Sequence, residues 1–216
     1  MKDHESPDVK RQPQVAASMY RRKYLSLVRL ITHWYQADMV GDHAPVGGSV
    51  LEIGPGAGHT TWLLRNFGFQ TTTLDFDAQL GPDIVGDVTN LPCEDKSYDC
   101  VLCAEVLEHI PFAEFGRALK ELWRVSRQSV VLTLPAPFVG LSMMLNIAGL
   151  PSRGFHLGVP YRVQHQFDGE HYWEIGKRGY SLATVKDVIR DSGFTIHKAF
   201  RPVPSLYAYF FVLHPV

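Results

Sequence analysis

The stretch LEIGPGAGHT contains three closely spaced glycines that could bind a nucleotide. The glycines are Gly54, Gly56 and Gly58. Glycine allows a sharp turn and lets the backbone approach a ligand closely. In the G-x-G-x-x-G pattern of dinucleotide-binding loops the third glycine comes later, so here it lies one residue too early. The spacing therefore argues against a pyrophosphate-binding loop.

Acidic residues accompany these glycines at the predicted ends of successive strands. Glu52 lies two residues before Gly54, where a carboxylate suits an amino group or a sulfonium better than a pyrophosphate. Asp75, Asp87 and Glu105 are predicted at the ends of the next three strands. An acid at the end of the second strand accepts hydrogen bonds from ribose hydroxyls. The set predicts a cationic ligand that contains adenosine.

The elements that must position these residues alternate between apolar strands and amphipathic helices. Such alternation predicts a parallel sheet with helices on both faces. The last two strands, FTIHKAFRP and SLYAYFFVLHP, are joined by only a few residues, too few for a parallel crossover. The predicted fold is an α/β, Rossmann-like three-layer sandwich. Its seven-stranded sheet is mostly parallel, with an antiparallel last strand.

The segments that flank this alternation have distinct patterns. Residues 1–14 combine prolines and charges without periodicity and are predicted to be disordered. Residues 15–40 are predicted to form an N-terminal helix, and residues 137–180 an insertion that contains an apolar, helix-like piece from Phe138 to Leu150. A basic amphipathic helix can lie on a membrane surface, but more often it packs on its own domain.

The composition of the chain indicates which kinds of partner and which cellular compartment to expect. The net charge is −1 over 216 residues, which gives no basic excess for binding nucleic acid. The three cysteines form no disulfide framework, and with no secretory signal they predict a cytoplasmic protein. Cys100 and Cys103 have CxxC spacing, but they fall in a predicted strand and should face opposite sides. This placement disfavours a metal or redox pair.

The motifs together resemble a known family. E-x-G-x-G-x-G, an acid that ends the second strand, and GDVTNLPCEDKSYDCVLCAEVLEHI resemble the class I S-adenosylmethionine-dependent methyltransferases, especially small-molecule enzymes of the ubiquinone type. The resemblance covers roughly residues 50–134. It implies that residues 15–216 form a single methyltransferase domain whose cofactor is S-adenosyl-L-methionine.

The resemblance also implies roles for individual residues. Those implied to bind the cofactor are Glu52, Gly54, Pro55, Gly56 and Gly58 for the methionine part and ribose, Asp75 and Phe76 for the ribose hydroxyls and adenine, Asp87 and Val88 for the adenine amine and ring, and Ala104 and Glu105 beside the methionine end. One departure from the family is the short segment FDAQLGPDIVG, where a helix of two or three turns is usual.

The acceptor side is predicted to include the insertion, where family members place substrate-binding lids. Its polar and aromatic cluster comprises His165, Asp168, Glu170, His171, Tyr172 and Trp173. The histidines and Asp168 could bind a metal, but their spacing matches no metal motif, and no metal site is predicted. His171 or His109 could act as a general base, because histidine titrates near neutral pH. Alternatively, these residues only stabilise a loop over the pocket.

The hypothesis is therefore methyl transfer from S-adenosylmethionine to a small-molecule or glycan-like acceptor. One alternative is an NAD-dependent oxidoreductase, which the glycine spacing and Glu52 disfavour. Another is a non-catalytic subunit that binds the cofactor and docks to a partner through its N-terminal helix. Methylation of RNA is disfavoured by the near-neutral charge and by AEVLEHI, which replaces an N/D-P-P-Y-type motif after the fourth strand.

Overall fold

A single seven-stranded sheet forms the centre of the protein in the computed structural model, which describes residues 25–150 and 153–216. Its strands are β1 (Ser49–Ile53), β2 (Gln70–Asp75), β3 (Ile84–Val85), β4 (Tyr98–Ala104), β5 (Ser126–Pro135), β8 (Phe194–Phe200) and β9 (Ala208–Pro215). They lie in the order β3-β2-β1-β4-β5-β9-β8. Only β9 runs antiparallel to its neighbours, β5 and β8. The predicted sheet is confirmed.

Helices cover both faces of this sheet. They are α1 (Leu27–His43), α2 (His59–Asn66), α3 (Phe112–Val125) and α4 (Leu182–Asp191). Apolar residues of α1 and α2 pack in the core on one face, and those of α3 and α4 in the core on the other. Cys100 and Cys103 belong to these two different cores, so β4 separates them as predicted. The three-layer sandwich is thereby confirmed.

The first helix shows how local sequence sets an element boundary. The Ser26 hydroxyl accepts a hydrogen bond from the Arg29 N–H at 3.3 Å, which caps α1. The helix ends at His43, a few residues after the predicted end. The predicted disorder of residues 1–14 and the predicted helical start at residues 15–24 lie outside the described residues.

The insertion contains a β-hairpin where the sequence predicted a helix-like piece from Phe138 to Leu150. Strands β6 (Phe138–Leu145) and β7 (Arg153–Pro160) pair antiparallel and form a separate two-stranded sheet. Gly140 lies opposite Gly158, and a Cβ at Gly140 would overlap the Leu157 carbonyl oxygen. The helix-like prediction was wrong because apolar residues occupy both faces of β6, which removes the alternation that identifies strands.

The segment between β2 and β3 is short, as predicted. It contains only a 3-10 turn at Ala78–Leu80, capped by Asp77, whose carboxylate accepts from the Gln79 N–H at 2.9 Å. Strand β3 ends at Val85, so Asp87 lies beyond it and does not end the strand as expected. No described helix is both long and apolar enough to cross a membrane.

Candidate active site

The carboxyl ends of β1, β2 and β4 meet at one edge of the sheet, because these strands are parallel neighbours. The backbone after β1 turns at Gly54, which has a φ of +70° and donates its N–H to the Leu74 carbonyl at 2.9 Å. A Cβ at Gly54 would overlap Cγ2 of Val106. Gly58, with a φ of +73°, begins α2 and donates to the Pro55 carbonyl at 2.8 Å. This loop tolerates no side chain at Gly54.

Glu52 is the buried carboxylate beneath this loop. Only 3% of its surface is exposed, and its Oε2 accepts a hydrogen bond from the Thr61 hydroxyl at 2.6 Å. Burial raises the pKa of Glu52 to about 7, since a desolvated carboxylate resists ionisation. A cationic ligand at this position would favour the ionised form, so the site matches an ammonium or sulfonium.

Asp75 and Phe76 occupy the end of β2 beside Glu52's strand. Asp75 is buried, and its Oδ1 accepts from the Asp77 N–H at 2.9 Å. Burial raises the pKa of Asp75. The ring of Phe76 is 42% exposed, which leaves a face on which a base could stack.

The turn after β3 carries the remaining residues assigned to adenine. Asp87 accepts from both the N–H and the hydroxyl of Thr89 at 2.8 Å and bridges to Asn90. Val88 is buried. The Asp87 carboxylate thus already stabilises its own turn.

After β4 the chain enters a strained turn at Glu105, with Ala104 as the last strand residue. Glu105 has a φ of 54°, an unusual value for a residue other than glycine, and its N–H donates to the Thr133 carbonyl at 3.0 Å. Its Oε1 is buried and forms no hydrogen bond among the described residues. Burial raises the pKa of Glu105 to about 7.

His109 and His171 come from segments far apart in sequence, and their ring centres lie 5.0 Å apart. His109 Nδ1 lies 2.9 Å from the carbonyl of Glu170 and can donate to it, and burial lowers its pKa to about 4. His171 Nδ1 lies 3.0 Å from Oε1 of Glu174. Burial would lower the pKa of His171, but the hydrogen bond and charge of Glu174 outweigh it and raise the pKa.

Sequence reasoning missed three polar residues beside these histidines. Glu108 is fully buried, and neither of its carboxyl oxygens forms a hydrogen bond within the described residues. Burial and the nearby Glu105 hold the pKa of Glu108 well above its usual range. Glu174 is hydrogen-bonded to His171, and the Tyr207 hydroxyl donates to Glu174 at 3.3 Å. Glu108 could have been noticed from the sequence, because it follows Glu105 by three residues in AEVLEHI. No feature of the sequence around Tyr207 indicated a place in this cluster.

A cation could be held at this cluster. Glu108, His109 and His171 offer ligand atoms that all lie within 4.8 Å of one another. Imidazole and carboxylate ligands suit several divalent transition metals. Among the described residues, this metal-compatible group includes neither His165 nor Asp168, the other residues weighed as ligands from the sequence.

The remaining residues of the polar and aromatic cluster hold the insertion in place. Asp168 accepts from the N–H groups of Glu170 and His171 at 2.9 and 2.8 Å. Trp173 is fully buried, and its indole N–H reaches the Leu107 carbonyl at 3.1 Å. These contacts hold the insertion against the turn after β4, so that His171 lies beside His109.

The sequence between β1 and β5 matches a protein-family model. Residues 51–134 match the model described as a methyltransferase domain. The matched residues are thus similar to a methyltransferase domain. They contain the glycine loop, Asp75, Asp87 and the turn with Glu105 and His109, whereas His171 lies outside them.

Solved structures of methyltransferases share this fold. One is a 1,6-didemethyltoxoflavin N1-methyltransferase from Burkholderia thailandensis with bound 1,6-didemethyltoxoflavin and S-adenosylhomocysteine, at 16% identity and a TM-score of 0.63, covering 92% of this chain and 84% of that one. Another is a magnesium protoporphyrin IX methyltransferase from Synechocystis PCC 6803 with bound S-adenosylhomocysteine, at 16% identity and a TM-score of 0.60, covering 92% of each chain. No curated protein sequence matches the chain.

Proposed function

We propose that this protein transfers the methyl group of S-adenosylmethionine to a small-molecule or glycan-like acceptor. The observation that carries the proposal is the buried Glu52 carboxylate beneath a loop with no room for a side chain at Gly54. A cationic amino-acid group bound there gains a charge-assisted partner. The bound ligands of the two similar methyltransferases support the same donor.

The donor would lie along the edge formed by β1, β2 and β4. Glu52 and the loop from Gly54 to Gly58 would hold its methionine part, with Ala104 and Glu105 on the opposite side. Asp75 would accept hydrogen bonds from the ribose hydroxyls. Phe76 offers an exposed ring to the adenine, and Asp87 with Val88 would line the amine end of the base.

The acceptor would enter from the insertion, residues 137–180. Methyl transfer from a sulfonium is an in-line displacement, so alignment of the two reactants supplies much of the catalysis. An acceptor that must lose a proton also needs a base. His171 is the candidate, because the hydrogen bond between its Nδ1 and Glu174 leaves Nε2 to accept that proton. His109, whose Nδ1 can donate to the Glu170 carbonyl, would line the same pocket.

A cation held by Glu108, His109 and His171 would be a different use of the same side chains. It would bind an acceptor oxygen directly and lower its pKa without a protein base. Addition of a chelator to an active preparation separates the two roles. Methyl transfer by a histidine base should persist, whereas methyl transfer through a cation should stop and return when the metal is restored.

Isothermal titration of the purified protein with S-adenosylhomocysteine tests the donor assignment. We expect saturable binding that Glu52→Ala and Asp75→Ala weaken at least about tenfold, because each removes a hydrogen-bonding charge. Glu94→Gln is the control, since Glu94 is an exposed acid away from this edge. Absence of binding to the unaltered protein would overturn the proposal.

The alternatives give different results in the same preparation. An NAD-dependent oxidoreductase would change the fluorescence of NADH on mixing, which the proposed site should not. A non-catalytic subunit would bind S-adenosylhomocysteine. It would not convert S-adenosylmethionine to S-adenosylhomocysteine, whatever extract of candidate acceptors is supplied. Formation of S-adenosylhomocysteine that depends on His171 would exclude that alternative.

A further inference from the structure

A cavity lies beyond the carboxyl end of β5, apart from the glycine loop. Its volume is about 640 Å³. Its wall combines the start of the insertion at Ala136–Phe138, the segment 175–183, and side chains next to or within the last strand pair. The Ile175 N–H donates to the Pro135 carbonyl at 2.9 Å, which fixes one wall to the end of the sheet. The cavity is therefore formed by packed elements as well as by surface loops.

The charges around this cavity all have the same sign. Four cationic side chains line it and no carboxylate does: Arg162, Lys177, Arg178 and Arg201. Lys177 has a partner in Glu174, with Nζ 3.5 Å from Oε2. Within residues 25–150 and 153–216, the other three form no ion pair. In a chain of net charge −1, this is a local excess of positive charge.

Arg201 is more buried than Arg162 and Arg178, which are both exposed. One terminal nitrogen donates to the Ala136 carbonyl at 2.6 Å. The other, Nη1, is buried and has no hydrogen-bond partner among the described residues. The guanidinium lies 5.0 Å from the centre of the Phe138 ring and 5.9 Å from that of Tyr209. Arg201 therefore contributes its charge to the cavity wall, while Nη1 itself is shielded from solvent.

The start of α4 adds a further attraction for an anion. Leu182 and Ala183, the first residues of this ten-residue helix, line the cavity. The first N–H groups of a helix have no partner within it, and the helix dipole is positive at this end. Ser181 satisfies one of these groups by accepting from the Thr184 N–H at 3.0 Å. The N–H groups of Leu182 and Ala183 belong to residues that line the cavity.

We propose that this cavity binds the phosphate group of an organic ligand. Three guanidinium groups that form no ion pair within the described residues, together with a helix N-terminus, suit a dianion, and the planar guanidinium binds phosphate oxygens in pairs. The rings of Phe138 and Tyr209 and the side chains of Ile175 and Leu182 provide apolar surface for the organic part. The phosphate site itself is independent of the methyl-transfer chemistry.

We also identify this phosphorylated ligand as the methyl acceptor, and that step rests on the proposed function. Lys177 connects the two regions, because it contacts Glu174 and Glu174 is hydrogen-bonded to His171. An acceptor phosphate held in the cavity would thus place the rest of that molecule beside the histidines. The acceptor class that follows is a phosphorylated small molecule or sugar phosphate.

Titration of the full-length protein with phenyl phosphate tests the site. We expect saturable binding by calorimetry, and Arg178→Gln should weaken it about tenfold, because one charged hydrogen bond is lost. Arg162→Gln, also at an exposed residue, should weaken it similarly, whereas Arg201→Gln removes a buried contact and requires a check of folding. Arg190→Gln is the matched control, since Arg190 lies at the other end of α4 and pairs with Asp187.

Three outcomes would overturn the proposal. The first is absence of saturable binding, and the second is an equal loss in Arg190→Gln and Arg178→Gln. The third is equal affinity for benzoate and for phenyl phosphate. That result would show that the cavity binds anions in general and has no preference for phosphate. Each variant is also titrated with S-adenosylhomocysteine. If Arg178→Gln still binds S-adenosylhomocysteine but loses phenyl phosphate, the change is confined to the phosphate site. A failure of the donor assignment would instead appear as absent S-adenosylhomocysteine binding in the unaltered protein.

Discussion

The glycine loop after β1 and the histidine cluster beyond β4 lie at the same edge of the sheet but are assembled differently. The loop, Glu52 and Thr61 come from ten consecutive residues, and one backbone hydrogen bond, from Gly54 to Leu74, ties them to β2. In the histidine cluster, His109 meets the Glu170 carbonyl 61 residues away, and Tyr207 reaches Glu174 across 33. The glycine loop is thus formed mainly by one contiguous segment, whereas the histidine cluster forms only when segments far apart in sequence meet.

The largest effect should come from a side chain in the glycine loop. Gly54→Ala should lower the affinity for S-adenosylhomocysteine about a hundredfold and the free energy of unfolding by about 3 kcal/mol, because the new Cβ meets Val106. Calorimetry and denaturant unfolding measure the two quantities.

Gly47→Ala is the matched control for that change. Gly47 has a φ of +71°, against +70° at Gly54, but nothing lies within 4 Å of its added Cβ. It should cost only about 1 kcal/mol of backbone strain and leave binding intact. Equal losses in both variants would mean that backbone strain, and not the lack of space, limits the loop.

The second effect is a pH dependence at Glu52. S-adenosylhomocysteine should bind about tenfold more tightly as the pH rises through about 7, because the carboxylate then ionises beside the ligand's amino group. Glu52→Gln should bind weakly at every pH. Calorimetry from pH 5.5 to 8.5 gives the two curves, and parallel curves would contradict the assigned contact.

The same burial makes a prediction about stability. The folded pKa of Glu52, about 7, exceeds its ordinary value of 4.5, so the unfolded chain releases this proton first as the pH rises. The wild type should therefore lose stability relative to Glu52→Gln between about pH 4.5 and 7, with no further loss above. Glu94→Gln, at an exposed acid, is the control for the substitution itself.

A smaller effect is expected in the histidine cluster. Glu174→Gln should lower the pKa of His171, because the charge and hydrogen bond of Glu174 raise that pKa. Titration of the histidine ring signals by NMR measures it, with Glu170→Gln as the control. Binding of S-adenosylhomocysteine should not change, and a loss there would show that the two sides of the edge are not independent.

The smallest effect concerns the adenine end of the donor site. Phe76→Ala should weaken S-adenosylhomocysteine binding about threefold to tenfold by removing a stacking face. Stability should be unchanged, since the ring is 42% exposed. Phe67→Ala, at a ring 47% exposed, is the control. If both variants bind equally well, Phe76 has no contact with adenine.

Periodicity and spacing predicted the parts of the fold that depend on neighbouring residues. The strand and helix order, the antiparallel last strand and the short segment after β2 follow the sequence expectations. The β6–β7 hairpin was not predicted, because apolar residues on both faces of β6 give a sequence pattern like that of a buried helix. Glu108 escaped because its burial results from packing around it, and not from its immediate neighbours.

The sequence by itself determined the sheet and the residues of the glycine loop, because turns and strands obey steric rules between adjacent residues. The tertiary structure decided which distant side chains meet. It brought His171 and Glu174 to His109, and it gathered Arg162, Arg178 and Arg201 around one cavity. Such contacts depend on the path of long connections and on the packing that fixes them, which no local pattern encodes.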